Sequence, residues 1–243
     1  MIPLPAAMSL EGKRVLVTGA ASGIGRATAL VLSQLGAALV LVDRAPLDTI
    51  AAEIRTPCET LMGDLTDDAF LAGLFSGARL HALAHCAGIL GARDWRNDPD
   101  WHTRFHRTMD VNVRVPLEIA MRAIDHMADH GGGYVVLVGS VAGKTGGTSL
   151  NTPPDYSASK GAVHAIVKWT SRHGVARGVM VNAVAPGPVE TPMTSGNVTA
   201  PMLPMKRMGR AEELAWPIAF LCGPGASYMS GAILDVNGGA FVG

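Results

Sequence analysis

The stretch RVLVTGAASGIG, residues 14–25, joins a short apolar run to a glycine-rich turn. Continuous rather than alternating apolar character predicts a β-strand that is covered on both faces. Gly19, Gly23 and Gly25 follow with the spacing G-x-x-x-G-x-G. Glycine permits a tight turn and lets a diphosphate approach the backbone, and the N–H groups that open the next helix can then face the phosphates. The stretch therefore predicts a strand, a phosphate-binding loop and a helix, and we count Ser22 and Ile24 of this loop with its glycines as cofactor-binding residues.

The alternation of apolar run and helical stretch continues along the chain. It predicts an α/β fold with a doubly wound, Rossmann-like parallel sheet and helices on both faces, in which ligands bind beyond the carboxyl ends of the strands. We expect residues 1–10 to form a loose N-terminal tail and residues 11–243 to form one domain. The further apolar runs lie at 38–42, 58–62, 80–85, 134–139, 179–184 and 232–236, and helix-length stretches lie at 23–35, 99–130, 156–173 and 211–222.

Composition limits the partners of the chain. Its 20 lysines and arginines balance 20 aspartates and glutamates, so no net field attracts nucleic acid or an anionic membrane. No apolar run approaches the roughly 18 residues of a membrane span. Three scattered cysteines, Cys58, Cys86 and Cys222, lack metal-ligand spacing and favour a reducing cytoplasm.

Two histidine pairs have the i, i+4 spacing of a metal-binding helix face, His102 with His106 and His126 with His130. The first lacks the glutamate of a zinc-protease helix, and no third ligand is evident for either pair. We therefore expect solvated helix faces and no metal site.

The ends of the next three predicted strands favour a nicotinamide dinucleotide. Asp43 ends the second strand, where a carboxylate accepts hydrogen bonds from both ribose hydroxyls of NAD and repels the 2′-phosphate of NADP. Asp43 therefore makes NAD the preferred cofactor. Arg44 follows it and would reduce the repulsion of a 2′-phosphate, so NADP is the alternative. Asp64 and Leu65 follow the third strand, where an adenine ring can rest. The small residues after the fourth strand, beside the cofactor path, are Cys86, Ala87 and Gly88.

A second informative stretch is TPPDYSASKGAV, residues 152–163. Proline is excluded from helix interiors and Asp155 is a good N-cap, so we expect a helix to begin near Tyr156. Tyr156 and Lys160 then share one face.

Use of a phenol near pH 7 requires its pKa to fall by about 3 units, or about 4 kcal/mol. A helix N-terminus contributes about 0.3–1 kcal/mol. An ammonium about 5 Å away contributes roughly 3 kcal/mol at an effective dielectric of about 20. Lys160 should therefore be the larger influence, and Tyr156 becomes a general acid–base catalyst for a carbonyl–alcohol pair.

The segments TGAASGIG, CAG, GSVAG, YSASK and NAVAPGPVETPM, in this order, resemble the short-chain dehydrogenase/reductase family from about residue 10 to the C-terminus. The resemblance implies one doubly wound domain with a mostly seven-stranded parallel sheet, usually assembled as a tetramer or dimer. It implies hydride transfer between a nicotinamide and a secondary alcohol or ketone. The apolar faces of 99–130 and 156–173 match the helices through which the family assembles, so a homotetramer is expected and a dimer is the alternative.

The resemblance also implies roles for single residues. Tyr156 would be the acid–base residue, and Lys160 would lower its pKa and bind the nicotinamide ribose. Ser140 would hydrogen-bond the substrate oxygen, and Asn112 would hold a water that leads protons from Lys160 to solvent. The segment PGPVET would contact the carboxamide end of the cofactor through Pro186, Gly187, Val189 and Thr191.

One detail of Asn112 follows from the residues themselves. Pro116 lies four positions later and has no N–H for the Asn112 carbonyl. We expect a distorted helix whose free carbonyl can accept the relay water.

The sequence departs from the family at the pocket rim. Cys86 replaces the usual asparagine after the fourth strand, the loop between Ser140 and Tyr156 is about three residues longer than usual, and the substrate-loop region 188–208 is short. Positive groups at the rim are few, chiefly Lys144 and Arg93, and neither is clearly directed inward, whereas a buried carboxylate or phosphate would need a bidentate arginine. We therefore expect a small, neutral, mostly apolar alcohol or ketone. The rim residues are Val141, Ala142, Leu150, Pro188, Met193, Met202 and Leu203.

Two other functions stay open from the sequence alone. The first is an NADPH-dependent 3-oxoacyl-[acyl-carrier-protein] reductase. Asp43 disfavours it because a carboxylate there repels NADPH. The acidic stretch MADHGGG before the fifth strand also disfavours it, because docking of an acidic carrier requires a basic patch. The second is a non-catalytic nucleotide-binding scaffold, which the presence of all four tetrad residues disfavours.

Overall fold

All seven predicted apolar runs form strands of one parallel sheet. The computed structural model describes residues 7–91, 96–147, 152–194 and 203–243. The sheet order is β3-β2-β1-β4-β5-β6-β7, so the strand order reverses between β1 and β4. In a doubly wound sheet this reversal opens a crevice at the carboxyl ends of the two strands. The strands are β1 (Arg14–Thr18), β2 (Ala38–Asp43), β3 (Cys58–Met62), β4 (Ala82–His85), β5 (Gly133–Val138), β6 (Val179–Pro186) and β7 (Ile233–Val236).

Helices cover both faces of the sheet, as the continuous apolar strands predict. Successive side chains of a strand point to opposite faces, so Val15 and Val17 pack with α1 and α8 while Leu16 packs with α5 and α7. In the described residues the helices are α1 (Gly23–Gln34), α2 (Asp48–Glu53), α3 (Asp68–Gly73), α4 (Trp101–Met109), α5 (Val115–Asp129), α6 (Ala142–Thr145), α7 (Pro154–Val175) and α8 (Ala211–Leu221).

The predicted start of α7 was wrong by two residues. Helix α7 begins at Pro154, its N-cap is Pro153, and Asp155 lies inside the first turn. Proline is tolerated at the first helical position because that N–H has no intrahelical acceptor in any case. The Asp155 carboxylate is buried, and neither oxygen has a hydrogen-bond partner among the described residues. Gly91 makes room for it, since a Cβ there would lie 2.0 Å from Asp155 Oδ2.

The predicted helical stretch 99–130 is two helices joined by one wider turn. Residues Asp110–Arg114 between α4 and α5 form a π-helical turn, in which the Val115 N–H bonds to the Asp110 carbonyl five positions earlier. The missing N–H of Pro116 makes the regular i to i−4 pattern impossible at this point. The predicted departure from α-helix around Asn112 is therefore confirmed.

The end of the expected N-terminal tail is packed rather than loose. Leu10 is buried, and its N–H donates to the Leu35 carbonyl at the end of α1. Leu10 belongs to the apolar core on the α1 and α8 side of the sheet.

Candidate active site

A cleft of about 360 Å³ opens where the sheet order reverses. Its walls come from the loops after β1, β2, β3 and β4 and from the segment after β6, so residues distant in sequence meet there. Most of the predicted cofactor residues line it, namely Gly19, Ser22, Gly23, Ile24, Gly25, Asp43, Asp64, Leu65, Cys86, Ala87, Gly88 and Thr191.

The glycine loop after β1 leaves no room for side chains. Gly19 has a φ of +69°, and a Cβ there would lie 2.8 Å from the Ala87 nitrogen. A Cβ on Gly25 would lie 2.1 Å from the Gly19 carbonyl oxygen. Helix α1 starts at Gly23, and the Ser22 side chain makes no capping bond. The N–H groups at the start of α1 therefore have no side-chain cap and can donate to a diphosphate.

Asp43 sits at the end of β2 and is held by two backbone groups. Its Oδ2 accepts the Ala21 N–H and its Oδ1 accepts the Ala45 N–H, both at 3.0 Å. These bonds fix the carboxylate at the wall of the cleft and leave lone pairs free for ribose hydroxyls. The glycine cradle, the helix start and this carboxylate together fit a dinucleotide.

Two arginines also line this end of the cleft, Arg44 and Arg107. The pKa of the Asp64 carboxyl is lowered, first by hydrogen bonds from the Thr66 N–H and hydroxyl and further by the charges of Arg107 and Arg44. Arg107 was missed in the sequence because it lies on α4, far from any strand end. Its place shows that the part of the cleft lined by Asp43 and Asp64 carries positive as well as negative charge.

Tyr156 and Lys160 lie on one face of α7, as predicted. Lys160 Nζ is 5.7 Å from the centroid of the Tyr156 ring and donates to the Val138 carbonyl at 2.8 Å. A Cβ on Gly88, which lines the cleft, would lie 3.6 Å from Lys160 Nζ and 3.3 Å from Asn112 Oδ1. The Tyr–Lys pair therefore adjoins the cleft that fits a dinucleotide.

The predicted sign of the Tyr156 pKa shift is wrong for the protein's own side chains. Burial raises the pKa of the phenol, and the hydrogen bond with Ser140 opposes this without overcoming it. The sequence argument counted the attraction of Lys160 but not the loss of water around the ring. Burial also lowers the pKa of the Lys160 ammonium to about 8, so it stays mainly charged at neutral pH.

Ser140 is positioned at the end of β5 by two of its neighbours. Its Oγ accepts the Ala142 N–H at 3.1 Å, which leaves the hydroxyl proton free to be donated. Its backbone N–H points to His164 Nε2 at 3.5 Å. Burial lowers the pKa of His164 to about 4, so the imidazole is neutral and can act as acceptor.

Asn112 ties the π-helical turn to the loop after β4. Its Oδ1 accepts the Ile89 N–H and its Nδ2 donates to the Ile89 carbonyl, both at 2.9 Å. Nδ2 also donates to Ser159 Oγ on α7 at 3.1 Å. The side chain of Asn112 therefore clamps the π-helical turn to the loop after β4 and to α7.

Some predicted residues lie outside the cleft, and some cleft residues were not predicted. Pro186, Gly187 and Val189 do not line it, and neither do the four predicted catalytic residues Asn112, Ser140, Tyr156 and Lys160. The Gly187 N–H donates to the Val236 carbonyl, and Val189 pairs with Gly209 in a short bridge, so the segment before Thr191 is held by its neighbours in the fold. Of the rim residues, Arg93, Leu150 and Met202 lie outside the described residues, and Lys144 is paired with Asp235 at 2.6 Å. The lining residues that the sequence did not single out are Ala45, Gly63, Thr66, Ile89, Arg107, Val111 and Pro192.

The expected solvated histidine face is wrong for His126. It is buried, its Nε2 accepts the Leu80 N–H, and its Nδ1 bonds to the Phe75 carbonyl, each at 3.0 Å. With both ring nitrogens used, His126 is a packing residue that joins α5 to the chain before β4. In the described ranges no group of three His, Cys, Asp or Glu side chains could hold a metal.

Comparison with known proteins decides the family. A family model described as enoyl-(acyl carrier protein) reductase matches residues 19–240. Galactitol 2-dehydrogenase (L-tagatose-forming) of Cereibacter sphaeroides is 36% identical over 95% of both chains. The chain belongs to the short-chain dehydrogenase/reductase family. It is an oxidoreductase that acts on CH–OH groups with a nicotinamide cofactor and interconverts a secondary alcohol and a ketone.

Other family members show how widely its substrates vary. Cis-4-hydroxycyclohexanecarboxylate dehydrogenase of Sinomonas cyclohexanicum is 35% identical, with 92% of this chain and 94% of that one covered. The 3-oxoacyl-[acyl-carrier-protein] reductase of Thermotoga maritima is 31% identical, with 97% and 100% covered. A solved 3-oxoacyl (acyl-carrier-protein) reductase of Agrobacterium tumefaciens with NADP bound has a TM-score of 0.86 at 25% identity and covers 98% of both chains. None of the helices in the described residues combines the length and apolar character that crossing a bilayer requires.

Proposed function

We propose that the protein uses NAD(H), with Tyr156 as the general acid–base residue and Lys160, Ser140 and Asn112 as its partners. The observation that carries this is the position of the Lys160 ammonium, 5.7 Å from the Tyr156 ring and beside Gly88 of the cleft. The cleft supplies the glycine cradle, the start of α1 and Asp43 for the dinucleotide.

The proton steps follow from the bonds around Tyr156. The bound cofactor supplies the hydride acceptor or donor and, when oxidised, a positive charge. Ser140 has its hydroxyl proton free and donates it to the phenolate or to the substrate oxygen. Tyr156 gives its proton to a ketone oxygen or takes one from an alcohol. Because burial alone raises the pKa of Tyr156, the charges of Lys160 and of the oxidised cofactor have to favour the phenolate.

Lys160 would return a proton to the Tyr156 phenolate. Its ammonium donates to the Val138 carbonyl, and its pKa of about 8 lets it release and regain a proton near neutral pH. A water on the Asn112 carbonyl would connect it to solvent. A high-resolution crystal structure tests this, since a dry Asn112 carbonyl would contradict the relay.

Asp43 supports NAD over NADP because its fixed carboxylate would repel a 2′-phosphate. Arg44 and Arg107 line the same end of the cleft and keep NADP as the alternative. The short rim supports a small, neutral, mostly apolar alcohol or ketone. The named relatives also include a polyol dehydrogenase and 3-oxoacyl carrier-protein reductases, so both substrate classes belong in the assay.

A crossed activity screen tests these proposals. Absorbance of reduced nicotinamide is followed with NAD and NADP against secondary alcohols, polyols and 3-oxoacyl thioesters, with Tyr156→Phe as the blank. We expect turnover with NAD and a neutral secondary alcohol that Tyr156→Phe loses. Turnover confined to NADPH and 3-oxoacyl thioesters would replace this proposal by the carrier-protein reductase. Cofactor binding without any turnover would favour the scaffold.

Assembly and location are part of the proposal. Trp169 on α7 and Trp216 on α8 are 49% and 45% exposed, which supports burial against other copies in a homotetramer. Light scattering after size-exclusion chromatography distinguishes four copies from two. Three free cysteines support work in a reducing cytoplasm.

A further inference from the structure

A second cavity, of about 310 Å³, lies at the opposite end of the sheet. It is lined by residues just before or at the amino ends of β1, β4, β5 and β6, such as Lys13, His81, Gly133 and Gly178. The catalytic cleft lies at the carboxyl ends of the same strands. Five residues of strand, at about 3.3 Å each, separate the two by roughly 16 Å. A ligand here would touch neither Tyr156 nor Asp43.

The charged residues that line this cavity are all basic. Lys13 and Arg79 are exposed and form no salt bridge or side-chain hydrogen bond with the residues that the structure describes. Other arginines of the protein are paired, for example Arg177 with Asp125 at 2.5 Å. Within the described ranges no carboxylate lines the cavity. A concave surface with two unpaired cations focuses a positive potential.

His81 adds a fixed hydrogen-bond donor. Its Nδ1 accepts the Arg14 N–H at 3.0 Å. Burial lowers the pKa of its imidazole to about 4, and the charges of Arg79 and Lys13 act in the same direction. The ring is therefore neutral at physiological pH and carries its proton on Nε2. The wall thus offers an N–H donor together with two cations, both near enough to affect the His81 pKa.

The cations are not needed to neutralise the ends of the adjoining helices. The last carbonyls of α5 are already bonded, that of Met127 to Gly132 and that of Ala128 to Gly131. The Val175 carbonyl of α7 accepts the Gly178 N–H. Gly131, Gly132 and Gly178 have positive φ, which these tight endings require. Capping of helix ends therefore does not explain why Lys13 and Arg79 meet here.

We propose that this amino-end cavity binds a phosphate group, either free inorganic phosphate or a small phosphomonoester, through Lys13, Arg79 and His81. Guanidinium and ammonium groups are the side chains that bind phosphate most strongly, and a neutral histidine N–H completes the donor set. The Tyr134 phenol and the Ser227 hydroxyl also line the cavity and can donate to the remaining oxygens.

Calorimetric titration of inorganic phosphate and of glycerol 3-phosphate into the full chain tests the proposal. The catalytic cleft is saturated with NADH, and chloride keeps the ionic strength constant. We expect saturable binding that Lys13→Ala/Arg79→Ala weakens at least tenfold. Tighter binding of glycerol 3-phosphate identifies a phosphomonoester site, and tighter or equal binding of phosphate identifies a site for the free ion.

The matched control is Lys168→Ala/Arg55→Ala, which removes the same charges from exposed positions that line neither cavity. It should bind phosphate as the parent protein does. Circular dichroism checks that both double variants are folded, as expected for exposed side chains. No saturable binding to the parent protein, or equal losses in the two double variants, would overturn the proposal. Neither result would bear on the oxidoreductase activity, which is measured at the other end of the sheet.

Discussion

The two ends of the proposed active site are built differently. Beside the cleft, at the proposed nicotinamide end, Asn112, Ser140 and Lys160 are buried, and each makes at least one hydrogen bond with another segment of the chain. At the proposed adenosine end, Asp43 is only partly buried and Arg44 is exposed, on a loop. Electrostatic interactions are strong where water is excluded and weak where it is not. Single substitutions should therefore have large effects at the first end and small effects at the second.

The largest effect is expected for Tyr156→Phe. It removes the phenol hydroxyl and keeps the ring, so the fold should survive while proton transfer is lost. General acid–base catalysis contributes about 10²- to 10⁴-fold, and kcat should fall by that factor. Steady-state kinetics and cofactor titration separate the loss of rate from any loss of binding.

Tyr228→Phe is the matched control, because Tyr228 is fully exposed at 102%. It should leave kcat unchanged. A Tyr156→Phe enzyme that keeps more than a tenth of its kcat would remove the phenol from the mechanism and with it the contrast between the two ends.

Lys160 tests the buried end by its pH dependence. Its pKa falls from 10.5 to about 8 on folding, which corresponds to about 3 kcal/mol. Between pH 8 and 10.5 the unfolded chain binds the proton that the folded chain has lost, so the free energy of unfolding rises with pH in this window. Below pH 8 the full destabilisation by the buried ammonium remains.

Lys160→Met removes this titration and keeps the length of the side chain. From pH 8 to 10.5 the unfolding free energy of the parent should therefore rise by about 3 kcal/mol relative to that of Lys160→Met. Chemical denaturation at a series of pH values measures it. A difference that stays constant with pH would show that Lys160 is not desolvated.

Gly25→Ala probes the glycine-rich turn where β1 leads into α1. A Cβ there would lie 2.1 Å from the Gly19 carbonyl oxygen, so the backbone must shift. Overpacking of this kind costs about 1–3 kcal/mol, and dinucleotide affinity should fall with it. Gly73→Ala is the control, because a Cβ on Gly73 of α3 meets no atom within 4 Å. It should stabilise the protein slightly, and equal thermal shifts in the two variants would refute the close contact.

The same contrast explains what the sequence could predict. Tyr156, Lys160 and the glycine loop were found because proline, glycine and i, i+4 spacing constrain the backbone locally. The strands were found because a strand covered on both faces of a doubly wound sheet is a continuous apolar run. β1 and β3 match their predicted bounds, whereas β6 runs on to Pro186.

What the sequence missed depends on the surroundings of single side chains. Arg107 reaches the cleft from α4, and His126 is enclosed by Leu80 and Phe75, which no local pattern indicates. The sign of the Tyr156 pKa shift depends on how much water is lost around the ring, which only the fold shows. Asp155 was predicted as an N-cap from the residue preference at that position. The prediction was wrong because the position of the prolines decides where α7 begins.

The smallest effect is expected at the adenosine end, from Asp43→Asn. The amide keeps the shape and one acceptor of the carboxylate but loses its charge. A hydrogen bond to a charged group is worth about 1 kcal/mol more than one to a neutral group, so KM for NAD should rise about fivefold while kcat stays the same. KM for NADP should fall, because the repulsion of a 2′-phosphate is removed. The control is Asp48→Asn in the first turn of α2, which lies outside the cleft and should change neither constant. A loss of kcat in Asp43→Asn as large as that in Tyr156→Phe would contradict the independence of the two ends. It would show that the bonds of Asp43 with the Ala21 and Ala45 N–H groups also position the residues around Tyr156.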